Sequence, residues 1–329
     1  MLKPFTDRPR RLRRNSLIRD LVHETDLKLS QLVQPYFLST SKDAEAKETI
    51  SEFSGVYRWG VDALAREMES QIDRGLSRFL LFGSTTEKDA TGSAAVSQNA
   101  SVAEAIAKLK KRFGDASLLF SDICLCPYTD HGHCGVIDEE VIDNDASIDL
   151  LCRMALTHAE AGVDFVAPSD MMDGRVGAIR KILDQKQFSD VGILAYTAKY
   201  LSNYYGPFRE ALDSAPQKSD RSTYQMDYRN QREALRELQL DLAEGADIVM
   251  VKPALPYLDI LALFAKHSSV PVAAYSVSGE YQMVQLAAKA GIADAKSLAL
   301  ENLTSIRRAG ADIIFTYFAA EIAEKGWLR

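Results

Sequence analysis

Short, unbroken runs of apolar residues recur along the chain, and helix-like stretches that end in glycine precede them. The clearest cases read AGVDFVAP at 161–168, EGADIVMVK at 244–252 and AGADIIFTY at 309–317. Glycine suits the left-handed conformation just past a helix end. A continuous apolar run is typical of a strand that is covered on both faces. The pattern therefore predicts repeated helix–strand units in a parallel sheet.

Eight strands of this kind are predicted, and amphipathic helical stretches separate them. They lie at 32–38, 78–82, 118–123, 163–167, 191–195, 247–251, 270–275 and 312–316. Eight alternations favour an α/β fold of the (β/α)8, or TIM, barrel type. An open, doubly wound sheet is the alternative, but no GxGxxG or GxxxxGK[ST] motif follows the first strand.

Two segments fall outside this alternation. Residues 1–30 are rich in arginine and poor in apolar side chains, so they cannot form a core of their own. We expect an extended N-terminal arm that packs on another subunit, with an organelle transit peptide as the alternative. Residues 31–329 are predicted to form the barrel. Long polar connections are usually functional, so residues 201–230 are interpreted as an active-site lid.

Composition and charge exclude several classes of protein and of binding partner. The 329 residues are 47% hydrophobic and 9% aromatic, which excludes a mainly disordered chain. A net charge of −7 argues against nucleic acid or an anionic membrane as the partner. No stretch of about 18 uncharged apolar residues is present to span a bilayer. Without an apolar signal segment, a cytoplasmic protein with reduced cysteines is predicted.

Two lysines stand where predicted strands end, which is where barrel enzymes place their active sites. Lys252 continues the apolar run IVMV, and Lys199 follows the neighbouring fifth strand. The ordinary pKa of lysine is ~10.4, and burial beside a second cation lowers it toward neutrality. The two residues are interpreted as lysines that form Schiff bases with a carbonyl substrate. The alternative is that the stem of Lys252 carries its ammonium group to the surface.

Three cysteines lie close together and suggest a metal. Cys124 and Cys126 share one face of the chain, and a turn could bring Cys134 back to them. Three thiolates leave a fourth position open, as in catalytic zinc sites. His131 or His133 would instead close a structural site. Cys152 is predicted to belong to the core.

Further polar residues could bind carboxylates. Arg209 and Arg221 lie on the predicted lid, where they are either ordinary solvated charges or a carboxylate clamp. Ser278 and Tyr317 follow the last two strands and could hold a second carboxylate. Asp122 ends the third strand.

Several long stretches resemble the porphobilinogen synthase (5-aminolevulinate dehydratase) family. The match covers nearly the whole chain after the arm. The matching stretches are RPRRLRRN at 8–15, CLCPYTDHGHCG at 124–135, PSDMMDGRVGAIR at 168–180, YTAKYLSNYYGPFR at 196–209, STYQM at 222–226, GADIVMVKPALPYLDI at 245–260 and VSGEYQM at 277–283.

The resemblance implies a hydro-lyase that condenses two 5-aminolevulinate molecules into porphobilinogen with loss of two waters, in tetrapyrrole (heme) biosynthesis. Lys252 and Lys199 match the family's Schiff-base lysines. The substrate-binding and site-lining positions carry over to Arg209, Arg221, Gln225, Ser278, Tyr317, Asp122, Tyr205 and Phe208.

The resemblance also implies metals and an assembly. Cys124, Cys126 and Cys134 match the zinc-dependent, cysteine-type branch, whereas Thr223 argues against a second zinc site. Glu237 matches a glutamate that binds an allosteric magnesium. No organic cofactor is expected, and the expected state is a homo-oligomer, an octamer. The rival interpretations are a Schiff-base aldolase on the same barrel and a zinc-stabilised, non-catalytic assembly protein.

Overall fold

Eight parallel strands close into a barrel in the computed structural model, which describes residues 7–51, 53–98, 100–217 and 220–328. The first strand pairs with the second on one side and with the eighth on the other, so the sheet has no open edge at this seam. The predicted (β/α)8 barrel is confirmed. In chain order the barrel strands are Leu32–Leu38, Arg78–Phe82, Leu118–Ile123, Phe165–Pro168, Gly192–Lys199, Ile248–Lys252, Val272–Ser276 and Ile313–Thr316.

Amphipathic helices cover the outside of the barrel. Gly162, Gly245 and Gly310, which precede three of the strands, all have positive φ, at 95°, 96° and 117°. Their left-handed backbone ends each helix and turns the chain into the next strand, as the repeated phrase predicts. The α-helices of the described residues are Ser16–Val22, Val61–Asp73, Ser101–Phe113, Asn144–Glu160, Arg175–Gln185, Gly206–Ala211, Arg232–Glu244, Leu258–His267, Ser278–Lys289, Ala295–Arg308 and Ala319–Lys325.

The fifth barrel strand is longer than its apolar run predicts. It continues through Tyr196 and Thr197 to Lys199, and all of these side chains are buried. The pairing with the sixth strand shifts register between Val249 and Val251 and then sets Lys252 directly opposite Lys199. Polar residues can extend this strand because they point into the closed mouth of the barrel.

Two small ribbons lie outside the barrel. Lys47–Thr49 pairs antiparallel with Tyr57–Trp59, which in turn pairs with the end of the first barrel strand. A hairpin joins Val136–Asp138 to Val141–Asp143. Each of these strands has three residues, too few to show a hydrophobic period in the sequence.

Near its end, the described N-terminal arm packs against the barrel core through the partly buried Leu27 and Leu29. Before that it contains a 3-10 helix at Pro9–Leu12 and the α-helix Ser16–Val22, and neither buries a side chain. Leu17 and Leu21 are 79% and 82% exposed. Residues 1–6 of the predicted arm lie outside the described residues. No helix in the described ranges is long and apolar enough to cross a membrane.

The predicted lid is anchored to the ends of the fifth and sixth strands. The Leu201 amide donates to the Met226 carbonyl at 2.8 Å, and the Met226 amide donates to the Lys199 carbonyl at 3.1 Å. The segment contains a 3-10 helix, Asn203–Tyr205, and the α-helix Gly206–Ala211, where the sequence predicted only loop. Residues 218 and 219 lie outside the described residues.

Candidate active site

The two strand-end lysines lie side by side at the mouth of the barrel. Lys199 and Lys252 are paired across the fifth and sixth strands, and they are 6% and 3% exposed. Aromatic rings surround the Lys252 ammonium group. Its Nζ lies 4.0 Å from the ring centre of Tyr275 and 4.9 Å from that of Phe208. The Lys199 Nζ donates a hydrogen bond to the Ser169 carbonyl, which holds it toward the fourth strand.

Burial and, to a smaller extent, the positive charge of Lys199 together lower the pKa of Lys252 to about 7. The Asp122 carboxylate opposes this shift. An amine with a pKa near 7 is about half unprotonated at neutral pH. Lys252 therefore offers a nucleophilic nitrogen where an ordinary lysine would be almost fully charged.

Asp122 is a buried carboxyl group beside both lysines. It lies near the end of the third strand, and burial raises its pKa to about 6, although the Ser169 hydroxyl and both lysines act in the opposite direction. Its Oδ1 atom has no hydrogen-bond partner among the described residues. A carboxyl group with this pKa can both accept and donate a proton near neutral pH.

The three cysteines converge just beyond the third strand. The amides of Tyr128 and Thr129 donate to the Leu125 carbonyl at 2.8 and 3.0 Å, which starts a tight turn. The Thr129 hydroxyl then donates to the His133 carbonyl at 2.9 Å and draws the chain back. As a result, the Sγ atoms of Cys124, Cys126 and Cys134 all lie within 4.8 Å of one another, and all three side chains are buried.

The chemistry of this cluster fits a soft metal ion. Burial raises the pKa of Cys124, while hydrogen bonds from the other two thiols lower the pKa of Cys134. Within the described residues, no histidine or carboxylate atom joins the three sulfurs. His131 instead contacts the Ala90 carbonyl at 3.1 Å, and His133 contacts the Tyr224 hydroxyl at 3.1 Å. The three thiols form an open ligand set rather than a closed one.

Hydrogen-bond donors without partners face the site from the lid. Arg221 is buried, and one terminal nitrogen donates to the carbonyls of Gly132 and Ser214 at 2.9 and 2.8 Å. The Nε atoms of Arg221 and Arg209 and the amide nitrogen of Gln225 are donors with no partner among the described residues, and the Gln225 amide oxygen is an acceptor that also has none. Buried donors of this kind are costly when left unpaired, so they suit an anionic ligand.

A second pair of polar side chains, those of Ser278 and Tyr317, lies near the aromatic rings that contact Lys252. The Ser278 hydroxyl accepts a hydrogen bond from the Phe208 amide at 3.1 Å and lies 3.3 Å from the Tyr204 carbonyl. The Tyr317 hydroxyl lies 3.1 Å from that of Tyr275, whose ring contacts Lys252. Both groups are therefore linked to the lysine through its aromatic surroundings.

The residues that line the central cavity include most of the predicted site. The cavity has a volume of about 10 Å³, which is room for one water molecule. Gln225, Ser278 and Tyr317 lie outside this lining. Sequence reasoning did not assign Tyr275 a place around the lysines, because an aromatic residue within an apolar run resembles ordinary core. The lining residues are Asp122, Cys126, Ser169, Lys199, Tyr205, Phe208, Arg209, Arg221 and Lys252.

Glu237 lies apart from this cavity, on the helix Arg232–Glu244. It lines a separate cavity of about 430 Å³ together with Asp173, Gln225 and Glu233. Burial raises its pKa to about 7, and neighbouring carboxylates act in the same direction. The residue is partly buried, unlike an ordinary solvated helix glutamate.

Comparison with known proteins decides the family. The family model described as delta-aminolevulinic acid dehydratase matches residues 6–325. The chain belongs to this family. Curated dehydratases from Methanothermus sociabilis and Halalkalibacterium halodurans are 51% and 47% identical over 322 residues. These alignments cover 98% of this chain and 99% and 97% of the two relatives.

A solved dehydratase structure agrees with the fold. The enzyme from Toxoplasma gondii ME49, determined in complex with the reaction product porphobilinogen, is 44% identical and superposes with a TM-score of 0.95. The match covers 98% of this chain and 92% of that one. The predicted family, its hydro-lyase class and its porphobilinogen synthase reaction are confirmed. The roles of individual site residues remain predictions.

Proposed function

We propose that this chain makes porphobilinogen from two molecules of 5-aminolevulinate through imines on Lys252 and Lys199. The observation that carries this proposal is the pairing of two buried lysines across neighbouring strand ends, with the pKa of Lys252 lowered to about 7. An aldolase of the Schiff-base type needs one lysine and no thiol cluster. Two lysines beside three thiols favour a condensation of two carbonyl substrates.

The chemistry begins with the neutral amine of Lys252. Its nitrogen attacks the ketone carbon of one substrate, the carbonyl oxygen leaves as water after taking up two protons, and a protonated imine remains. Asp122, with a pKa near 6, is placed to exchange these protons. Lys199 binds the second substrate in the same way. The two substrates are then held side by side, which replaces a bimolecular encounter by an oriented one.

The substrate carboxylates have separate binding groups in this proposal. Arg209, Arg221 and Gln225 bind the carboxylate of the substrate on Lys199, and their unpartnered donors support this role. Ser278 and Tyr317 bind the carboxylate of the substrate on Lys252. Tyr317 is linked to this lysine through Tyr275, and Ser278 is linked to it through Phe208. Separate binding groups for the two carboxylates suit two copies of one molecule.

Two metals belong to the proposal. Cys124, Cys126 and Cys134 would hold zinc, because three thiolates are soft ligands that leave one position open. Bound there, zinc would polarise or position a substrate group at the cavity wall. Glu237 would anchor magnesium, which prefers oxygen ligands and usually retains several waters. We expect a Glu237→Ala variant to lose any stimulation of turnover by magnesium while imine trapping at both lysines continues.

The test is turnover together with covalent trapping. Wild-type protein should convert 5-aminolevulinate to a pyrrole, and borohydride with labelled substrate should attach the label to the peptide that contains Lys252. The Lys252→Met variant should lose both signals. Lys266→Met is the matched control, because Lys266 is an exposed lysine on an outer helix. Label only on peptides that contain neither Lys252 nor Lys199, or normal turnover by Lys252→Met, would contradict the assignment.

Assembly and location complete the proposal. The arm of one chain packs on another, in a homo-octamer of cytoplasmic enzyme. Its helix Ser16–Val22 buries none of its own side chains, and this supports a neighbouring chain as the surface that covers it.

A further inference from the structure

Two positively charged side chains outside the cavity, those of Arg58 and Lys88, bind the lid. Neither has a role in the proposed reaction. Arg58 lies in the short strand Tyr57–Trp59, which pairs with the end of the first barrel strand. Its Nε donates to the Ala211 carbonyl, and a terminal nitrogen donates to the Glu210 carbonyl, each at 2.7 Å. Lys88, in the loop after the second strand, donates to the Asp213 carbonyl and lies 3.4 Å from the Asp213 carboxylate.

These contacts all fall at one end of the helix Gly206–Ala211. The last carbonyls of a helix have no partner within the helix, and this end carries partial negative charge. A planar guanidinium group satisfies two successive carbonyls at once. A helix of six residues is too short to be stable alone. Its position therefore depends on contacts such as those of Arg58 and Lys88.

The same helix carries two residues of the active site. Phe208 lies over the Lys252 ammonium group, with 4.9 Å between Nζ and the ring centre. Arg209 is the next residue, and the two carbonyls that Arg58 binds belong to the two residues after it. Any shift of the end of this helix would move the phenyl ring and the guanidinium group of the site together.

We propose that Arg58 is a positioning residue for the lid, assisted by Lys88, and that it sets the place of Arg209 for the carboxylate of the second substrate. This inference rests on the proposed function of Arg209. It predicts a defect in the binding of the second substrate. Imine formation by the first substrate at Lys252 does not require Arg209, so it should continue even though Phe208 moves with the same helix.

The expected size of the change in KM follows from the kind of hydrogen bond that is lost. Hydrogen bonds from a charged donor contribute enough to change an equilibrium about tenfold to a hundredfold. The Arg58→Ala variant should therefore show a KM for 5-aminolevulinate at least about tenfold higher than that of the wild type. Arg58→Lys keeps the charge and one donor, so its KM should lie between the two. Lys88→Ala should raise KM in the same direction.

The experiment combines steady-state kinetics with two readouts that do not depend on turnover. One is borohydride trapping at Lys252, which should still label this lysine in all variants. The other is limited trypsin digestion, in which cleavage after Arg209 should be faster in Arg58→Ala. Arg66→Ala is the control. Arg66 is an exposed arginine on the helix Val61–Asp73 and pairs with Glu45, a residue outside the lid, so its loss should change neither KM nor cleavage.

The outcomes separate this inference from the proposed function. If wild-type protein neither turns over nor traps label at Lys252, the proposed function fails, whatever the variants do. If the wild type is active but Arg58→Ala and Lys88→Ala keep its KM and its cleavage rate, the positioning role is wrong. A fall in melting temperature with unchanged KM would also overturn it, because it would show a purely structural arginine. If Arg58→Ala does not fold, Arg58→Lys and Lys88→Ala decide by the same criteria.

Discussion

The reactivity of Lys252 results from charges that act in opposite directions over short distances. Burial and Lys199 favour its neutral amine, whereas Asp122 favours its ammonium form. The balance places the pKa at about 7, where small changes in the neighbouring charges alter the fraction of free amine strongly. In the proposed mechanism, the residues around Lys252 would thus control the pH range in which the first imine forms.

Removal of the neighbouring cation should move this pH range upward. In a Lys199→Met variant the pKa of Lys252 should rise, because one positive charge no longer disfavours its ammonium form. Less free amine is then present at a given pH, so the acidic limb of imine formation shifts to higher pH. The rate of borohydride trapping at Lys252 between about pH 5 and 9 measures this shift. Asp122→Asn should move the limb the opposite way, and an unmoved limb in Lys199→Met would contradict the coupling.

Removal of the metal should abolish turnover without unfolding the protein. The three thiols form an open ligand set at the cavity wall, and Cys126 itself lines that cavity. A chelator should stop pyrrole formation and leave the melting temperature nearly unchanged, and added zinc should restore activity. Cys126→Ala should lose bound zinc, measured by atomic absorption, whereas Cys152→Ala should keep it. A large fall in melting temperature on chelation would indicate a structural site instead.

Among the elements, one buried carboxylate connects the ends of the sixth and seventh strands. Glu280, near the start of the helix Ser278–Lys289, accepts hydrogen bonds from the amides of Val277 at 2.6 Å and Leu255 at 2.7 Å. The Ala254 amide is a third donor at 3.4 Å. This side chain therefore joins the loop after Lys252 to the start of the helix that begins at Ser278.

Loss of this connection should destabilise the barrel. In Glu280→Ala three buried amides would have no acceptor, and each unsatisfied buried group costs about 1–3 kcal/mol. The free energy of unfolding should fall by about 3 kcal/mol or more, visible as a lower melting temperature. Glu301→Ala, which changes an exposed glutamate on the helix Ala295–Arg308, should have no such effect. Equal melting temperatures for the two variants would show that the connection is dispensable.

The elements also show what the sequence can predict. The barrel strands were predicted because burial on both faces leaves a continuous apolar run. The end of the fifth strand was missed, since Thr197 and Lys199 are polar yet buried, and Lys199 lines the central cavity. The lid helix was missed because it begins with Gly206 and Pro207, which usually mark a turn. At the site, charged strand-end residues were predicted from their type, whereas the contacts of Tyr275 depend on three-dimensional packing.

At the scale of the whole molecule, the helices of the N-terminal arm have no hydrophobic core of their own. Its helix exposes Leu17 and Leu21 almost completely, although leucine side chains gain free energy when they leave water. The barrel, by contrast, has its own core and a closed sheet. This difference favours an arm that is ordered against a second copy of the chain.

Polar substitutions in the arm should therefore reduce the size of the assembly. A variant with both Leu17→Glu and Leu21→Glu should form smaller species by light scattering, because a subunit contact cannot bury the new charges. Leu17→Met with Leu21→Met is the control, since methionine keeps the volume and the apolar character. An unchanged particle mass in the glutamate variant would remove the arm from the subunit contact.

The small volume of the central cavity has a consequence for the rate of the reaction. Two substrates or one pyrrole product need a space of several hundred Å³, whereas the cavity holds about 10 Å³. The cavity must therefore widen before substrates enter and again before product leaves. Movements of this kind limit the turnover of many enzymes. We therefore expect turnover to fall as the viscosity of the solvent is raised.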